Sequence, residues 1–341
     1  MLKDRRKFCA FTPSLMSGRL LDELIAVTRN SKPRDTGLTV AFDYFSPVED
    51  ELLEQTSEYI DIVKFGLSTP LLVEKSKLVE RISRYHDLGV KVMSSGTLIE
   101  IAVQRNIAPQ VLDRLRALGF DMIEISESAG AILLETKRQI LDEISRLSLD
   151  YVFEVVWKDS RRAKSSASMI SRVQEAFELK SERVIVELNE EDGVGGPYAS
   201  REGMPWEMLN EIAGRFGPPK LIFKATQAPQ RTALILEFGP SVNLAGVSIN
   251  EILALEMHRL GLTPETLGLS RPVQNVEGSP ASKFVYHLIR AEHPIDQATL
   301  IARSGLPKRT VQGALNYLVG KGLVRTVSEP SDMRRHKYAL D

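Results

Sequence analysis

The sequence predicts an α/β protein: an eight-strand (β/α)8 barrel of the TIM-barrel class over residues 1–268, then a small α+β winged helix-turn-helix domain over residues 281–341. Three observations predict it. Eight short, β-branched-rich apolar runs recur, each followed by a helical pattern. A polar stretch with Pro and Gly, residues 269–280, then breaks the series. Beyond it the pattern changes to three helices and two strands with a surplus of basic residues.

Residues 1–31 precede the first run as an extension, in which Leu20–Thr28 reads as a helix. The eight runs are Leu38–Asp43, Tyr59–Phe65, Val90–Ser94, Asp121–Ser126, Tyr151–Trp157, Arg183–Leu188, Leu221–Ala225 and Val242–Ser248. Between them apolar residues fall at i, i+3 and i+4, as in Val79–Leu88 with Ile82 and Tyr85 on one face. Glu207–Phe216 is closed by Gly217-Pro218-Pro219, a helix-stop signal. Strands alternating with helices imply parallel βαβ units, and eight of them fit a closed barrel better than an open sheet. The Gly-x-Gly-x-x-Gly turn of a dinucleotide-binding fold is absent.

After the linker, Ala281–Ala291 reads as an amphipathic helix with Phe284, Leu288 and Ile289 inward. Asp296–Ser304 is a second helix, Gly305-Leu306-Pro307 a turn, and Lys308–Lys321 a third helix with Val311, Leu315 and Leu318 buried. Val324–Val327 and Lys337–Leu340 read as strands around a loop, Ser328–His336.

Bulk properties exclude several classes. Of 341 residues, 43% are hydrophobic and 26% charged, ordinary for a soluble globular chain. No apolar run approaches the ~18 residues of a membrane span. The basic N-terminus is not followed by an apolar segment, so a cytoplasmic protein without a signal peptide is expected. Cys9 is the single cysteine, which rules out an intrachain disulfide and a cysteine-held metal. The net charge of −1 is uneven: residues 279–341 hold ten Lys/Arg against five acids, so the rest is acidic. A basic tail on an acidic body suggests that the tail meets a polyanion.

Barrels of this class place their active sites at the C-terminal strand ends. The polar residues there are Asp43, Lys64, Ser94-Ser95-Gly96-Thr97, Glu124, Glu154, Lys158, Glu187, Asn189, Lys224, Gln227 and Asn243. A charge inside an apolar strand is expensive to bury unless paired. One reading is therefore a salt-bridge layer that only stabilises the barrel. The other is a polar cavity with two sub-sites. There Glu124, Glu154 and Glu187 would hold Mg²⁺, a hard cation suited to oxygen ligands. The Ser94–Thr97 turn and the lysines Lys64 and Lys158 would hold an anion.

At these residues the chain resembles the phosphosulfolactate synthase family, which adds sulfite to phosphoenolpyruvate. The similar stretches include Lys32-Pro-Arg-Asp-Thr-Gly-Leu-Thr, Tyr59-Ile-Asp-Ile-Val-Lys-Phe-Gly, Gly119-Phe-Asp-Met-Ile-Glu-Ile-Ser and Phe238-Gly-Pro-Ser-Val-Asn-Leu-Ala, and run in order from Lys32 to Gly268. The resemblance implies attack of sulfite on the methylene carbon, Mg²⁺ at the carboxylates, and Lys158 as the acid that protonates the adjacent carbon. It implies substrate contacts from Asp43, Lys64, Ser95, Gly96, Thr97, Asn189, Lys224, Gln227 and Asn243. The chain also departs from the family pattern. Tyr44-Phe45 replaces Lys-Gly, Ser94-Ser95 replaces Pro-Gly, Val156-Trp157 replaces Gly-Lys, Asn189 replaces Arg, and Lys224-Ala-Thr-Gln replaces Glu-Ala-Pro-Gln. Loss of an arginine fork on a buried anion costs on the order of 2–5 kcal/mol.

The C-terminal segment is similar to the DNA-binding domains of small regulators of the MarR-like type. Lys308, Arg309, Thr310 and Gln312 open its third helix, and Arg334, Arg335 and Lys337 lie in its wing, where they suit phosphates and base edges. One such helix makes few base contacts, so a homo-oligomer is expected. A winged helix used only for protein contacts is the alternative. Two functions follow from the whole: a synthase-like lyase fused to a DNA-binding domain, or a transcription regulator whose altered barrel senses a phosphorylated or sulfonated anion.

Overall fold

The computed structural model describes residues 29–128, 130–157, 166–188, 203–269, 278–291, 295–329 and 332–340, less the side chains at 157, 166, 188, 268, 290–291, 327–329, 332–335 and 340. Strands β1 (Thr39–Asp43), β2 (Ile62–Phe65), β3 (Lys91–Ser94), β4 (Met122–Ser126), β5 (Asp150–Trp157), β6 (Val184–Leu188), β7 (Leu221–Lys224) and β8 (Asn243–Ser248) pair in parallel, and β8 pairs with β1 to close the barrel. The described helices around it are α1 (Asp50–Thr56), α2 (Lys75–Asp87), α3 (Gly96–Gln104), α4 (Ala108–Leu118), α5 (Leu134–Arg146), α6 (Ser166–Glu178), α7 (Trp206–Phe216), α8 (Ala228–Phe238) and α9 (Ile252–Arg259). The expected strands are all present. The second starts later than its apolar run, because Ser57–Tyr59 forms a 3₁₀ turn first. The expected helix Leu20–Thr28 and most of the linker lie outside the described residues.

Strand side chains alternate between faces. One face points at the helices and builds the main core, with Ala41, Val63, Val92, Ile123, Ile125 and Val186 among its members. The other points into the barrel, where Val40, Ile62, Met93, Val152, Ile185, Ile222 and Ala245 fill the lumen. Two residues further along seven of these strands the same inward face carries Phe42, Lys64, Ser95, Glu124, Glu154, Glu187 and Lys224. The barrel is thus apolar through its middle and polar at its C-terminal end.

Strand β8 is different. Its register against β1 shifts between Val40 and Ala41, and Gly246 has φ +85°. A side chain there would press on Ala225 backbone and on the Lys224 stem at 3.3 Å, so the glycine makes room for Lys224.

The N-terminal end is closed by side chains bonded to backbone. Asn243 is fully buried; its Oδ1 accepts the Leu38 N–H at 2.9 Å, and its Nδ2 donates to the carbonyls of Pro219 (3.0 Å) and Leu221 (2.9 Å). Arg259 donates to the carbonyls of Pro240, Val242 and Leu38. Arg34 donates to Asp61, whose other oxygen accepts the Thr39 N–H.

The C-terminal segment has its own core. Helices α10 (Pro280–Ala291), α11 (Gln297–Ser304) and α12 (Lys308–Gly320) pack with a three-stranded antiparallel sheet of β9 (Ile295–Asp296), β10 (Val324–Glu329) and β11 (Asp332–Leu340), ordered β10-β11-β9. Val285, Ile289, Leu300, Val311, Leu315 and Leu318 form that core. Phe284, expected inward, is 44% exposed; Val285 and Tyr286 take the buried positions, one residue round the helix. The wing strands are longer than expected, so 328–329 and 332–336 belong to strands rather than to a loop, and the short β9 is an added third strand. Asp296 caps α11 by accepting the Thr299 N–H at 2.9 Å.

Candidate functional site

The polar C-terminal end of the barrel encloses a cavity of about 360 Å³. Among the described residues, five charged side chains alternate across it. Lys64 Nζ lies 2.6 Å from Glu124 Oε2 and 3.4 Å from Glu154 Oε1. Lys224 Nζ lies 3.1 Å from the same Glu154 oxygen and 2.6 Å from Glu187 Oε1. The result is a ladder, Glu124–Lys64–Glu154–Lys224–Glu187, from neighbouring or nearby strands. Both ammonium groups also lie over the Phe42 ring, at 4.6 and 5.6 Å.

Three carboxylates share two lysines, and burial raises the stakes. Burial pushes the Glu124 carboxyl above the usual carboxylate range, and its neighbour Glu154 adds to this against the pull of Lys64 and Lys224. Burial acts the same way on Glu154, but Lys64 and Lys224 together outweigh it and hold that carboxyl below the usual range. Glu187 is raised by burial and by Glu154. Burial alone would lower Lys224; Glu154 and Glu187 overcome it and hold the ammonium firmly charged. Glu154 is therefore the anion shared by both lysines.

Helix α3 begins at the cavity. Its first residue, Gly96, donates its N–H to Glu124 Oε1 at 2.9 Å, so a carboxylate already sits at the helix N-terminus. A side chain at Gly96 would collide with Ser126, including its backbone nitrogen at 2.8 Å, which explains the glycine. The Ser95 hydroxyl donates to the Leu67 carbonyl, and Thr97 lines the cavity beside it. Behind α3, buried Glu100 accepts the Ser126 hydroxyl and the Ser128 N–H (2.9 Å), fixing the turn after β4.

The structure brings together Lys64, Ser95, Thr97, Glu124, Glu154, Glu187 and Lys224, with Gly96 at the helix start beside them. It places three expected substrate contacts elsewhere. Asp43 follows Phe42, so it faces outward, where it accepts the Tyr85 hydroxyl at 2.6 Å and pairs with Arg81 at 3.1 Å. Asn243 shares the inward face but starts β8, which puts it at the opposite end of the barrel. Gln227 is the N-cap of α8 and exchanges cap bonds with Gln230. Lys158 and Asn189 lie outside the described residues. Sequence reasoning missed Phe42, Leu67 and Ser128 in the lining, and named Tyr44, Val156 and Thr226 only as departures from the family pattern. The alternation could have found Phe42, which stands two residues from Val40.

The three carboxylates do not fit a magnesium cage as they stand. An ammonium group occupies each gap between them, and among the described residues no three His, Cys, Asp or Glu side chains converge as a metal site.

In the C-terminal domain Lys308, Arg309 and Gln312 are exposed on α12 and Thr310 is half-buried. Asn316, one turn beyond Gln312, is exposed too and was not anticipated. Lys337 is half-buried on β11, in register with Asp296; the side chains of Arg334 and Arg335 are outside the described set. No helix among the described residues is long and apolar enough to cross a membrane.

Comparison with known proteins agrees with both halves. A family model described as (2R)-phospho-3-sulfolactate synthase (ComA) matches residues 4–265, and one described as the MarR family matches residues 282–335. The phosphosulfolactate synthase of Methanocaldococcus jannaschii is 32% identical over 237 residues, which is 68% of this chain and 94% of that protein. Those of Methanothermobacter thermautotrophicus and Bacillus subtilis are 29% and 30% identical, over 72% and 71% of this chain and 97% and 96% of theirs. The chain belongs to the phosphosulfolactate synthase family and carries a MarR-family domain after its barrel.

Proposed function

We propose that this protein is a DNA-binding regulator whose barrel binds a small phosphorylated or sulfonated acid of the phosphoenolpyruvate class. The carrying observation is the ladder: each described cavity lysine is already held by two carboxylates, and the described charges are three negative against two positive. Joining a sulfite dianion to a phosphorylated acid needs surplus positive charge, fixed in advance where negative charge develops. A paired ladder suits reversible exchange instead, in which an incoming acid takes a lysine from one of its carboxylates. The cavity volume supports this size of ligand: at ~30 Å³ per water-sized group it admits about a dozen such groups.

The exposed Lys308, Arg309 and Gln312 on α12 support DNA as the partner, read by a dimer in the cytoplasm. Binding of the full chain to its own upstream DNA is expected to weaken as salt rises, and to weaken further in Arg309→Ala and Arg334→Ala. Unchanged affinity in both variants would remove DNA from the account.

A second reading, the synthase-like lyase, is favoured by the 32% identity over the barrel and by the presence of Lys64, Glu124 and Glu154 in the cavity. In it sulfite forms the new carbon–sulfur bond and Lys158 supplies the proton to the adjacent carbon. The magnesium ion implied by the family would need a carboxylate that gives up its lysine; Glu187, the most accessible of the three at 21% exposure, is the residue proposed for it. One experiment separates the readings. Calorimetry with phosphoenolpyruvate is expected to show binding to the full chain, and addition of sulfite and Mg²⁺ is expected to consume none. Consumption that Lys158→Ala abolishes would establish the lyase instead.

A further inference from the structure

We infer that Tyr44 is the specificity wall of the cavity: its ring selects an acid with a planar, unsaturated body over a saturated acid of the same charge. This rests on the ligand-binding reading above and names the shape of the ligand.

Tyr44 stands one residue past β1 and lines the cavity with Leu67, Lys64 and Lys224. Its ring stacks on Phe42, with centroids 5.7 Å apart and planes 7° from parallel. The residue is nevertheless 58% exposed, so part of the ring is open to a ligand. Independent features hold it there. A side chain on Gly66 would run into the Tyr44 ring, so the glycine vacates the space that the ring fills. The next residue, Phe45, adopts φ +63°, a conformation bulky residues rarely take. That turn is secured by Asp43, whose carboxylate accepts the Phe45 N–H at 2.6 Å while Tyr85 and Arg81 hold it from α2. The Arg81 guanidinium also lies 5.1 Å from the centre of the Phe45 ring. Strain of this kind persists where the surroundings over-determine it. Here the surroundings fix the direction of one aromatic ring.

An aromatic face rewards a flat partner, which can bring several atoms to contact distance at once. A tetrahedral carbon holds its substituents off the face. The charged groups of the ligand have separate partners in the same cavity, the ammonium groups of Lys64 and Lys224 and the Thr97 hydroxyl. The geometry therefore sorts acids by shape at Tyr44 and by charge at the lysines.

The test compares phosphoenolpyruvate with phospholactate, which bears the same carboxylate and phosphate on a saturated carbon. Calorimetry on the full chain is expected to show the planar acid bound more tightly by about fivefold, the range of an aromatic stacking contact. Tyr44→Ala should bring the ratio close to one mainly by weakening phosphoenolpyruvate, and Tyr44→Phe should keep it. Gly66→Ala retains the tyrosine but displaces its ring, so it should behave like Tyr44→Ala. An unchanged ratio in Tyr44→Ala, or equal binding of both acids by the unaltered protein, would overturn the inference and leave the ligand-binding reading intact. Failure of the unaltered protein to bind either acid would overturn both.

Discussion

At the N-terminal end of the barrel, Asn243, Arg259 and Arg34 direct their polar atoms mainly at the backbone, each tying one strand to another or to the chain leading into it. At the C-terminal end, Glu124, Lys64, Glu154, Lys224 and Glu187 bond chiefly to one another. Both sets are largely buried, and each side chain in them has a polar partner. They differ in what happens if a partner is withdrawn. A backbone group cannot move away without opening the barrel, so the lower set fixes geometry. A lysine between two carboxylates can exchange either for another anion, so the upper set can rearrange. Polarity anchored to the main chain is thus fixed with the fold, whereas polarity anchored to other side chains can be rearranged without opening the barrel.

The sharpest way to break this comparison is at the lower end. Asn243→Leu leaves the Leu38 N–H and the carbonyls of Pro219 and Leu221 without that partner, and should reduce unfolding stability by about 3 kcal/mol or more in a denaturant titration. The fraction that remains folded should bind ligand normally. At the upper end, Lys224→Met should lower stability by about 2 kcal/mol, since it leaves Glu154 and Glu187 short of a cation, and should weaken acid binding at least about tenfold. Adding Glu187→Gln should recover part of the stability and none of the binding. Recovery of both would show that the upper ladder is only a brace.

A smaller effect concerns pH. Glu187 has a raised folded-state pKa, so its ionisation opposes folding as pH rises from the ordinary carboxylate range through the folded value. Glu187→Gln removes that penalty and should gain stability relative to the unaltered protein between acid and neutral pH, read as a shift in melting temperature. Glu154 has the opposite sign: its lowered pKa stabilises the fold above the unfolded value and is lost as pH falls through the folded one. Glu154→Gln should therefore lose its relative instability in acid. The smallest effect expected lies outside the barrel. Asp296→Ala removes the cap of α11 and should cost about 1 kcal/mol at neutral pH, and Asp296→Asn much less. The Thr299 bonds hold the Asp296 carboxyl below its usual range, so the difference should fade as the carboxyl protonates in acid.

Most of the barrel was legible in the sequence because each strand is short, apolar and followed by a helix of matching period. Where legibility failed, the reason was local. Tyr59 has strand-like chemistry but precedes the Asp61 anchor, and the chain turns there first. Phe284 satisfies the helical period as well as Val285 does, and packing against the other two helices decides between them. The site shows the same pattern. A charge within an apolar run identified Lys64, Glu124, Glu154, Glu187 and Lys224. Polarity alone also singled out Asp43 and Asn243, one on the wrong face and one at the wrong end. Tyr44 carried no polar signal, and its place over the cavity depends on a turn with positive φ at Phe45 that no periodicity encodes.

If the protein is a regulator, occupancy of the ladder is coupled to the DNA-binding domain, and that coupling must appear as a change in affinity. The most direct measurement is the affinity of the full chain for its upstream DNA, by fluorescence anisotropy at fixed salt, with and without saturating phosphoenolpyruvate. Such coupling predicts a shift of at least about fivefold, within the usual range for two linked sites, and no shift in Lys224→Met. The same DNA affinity with the acid bound and with it absent would contradict it.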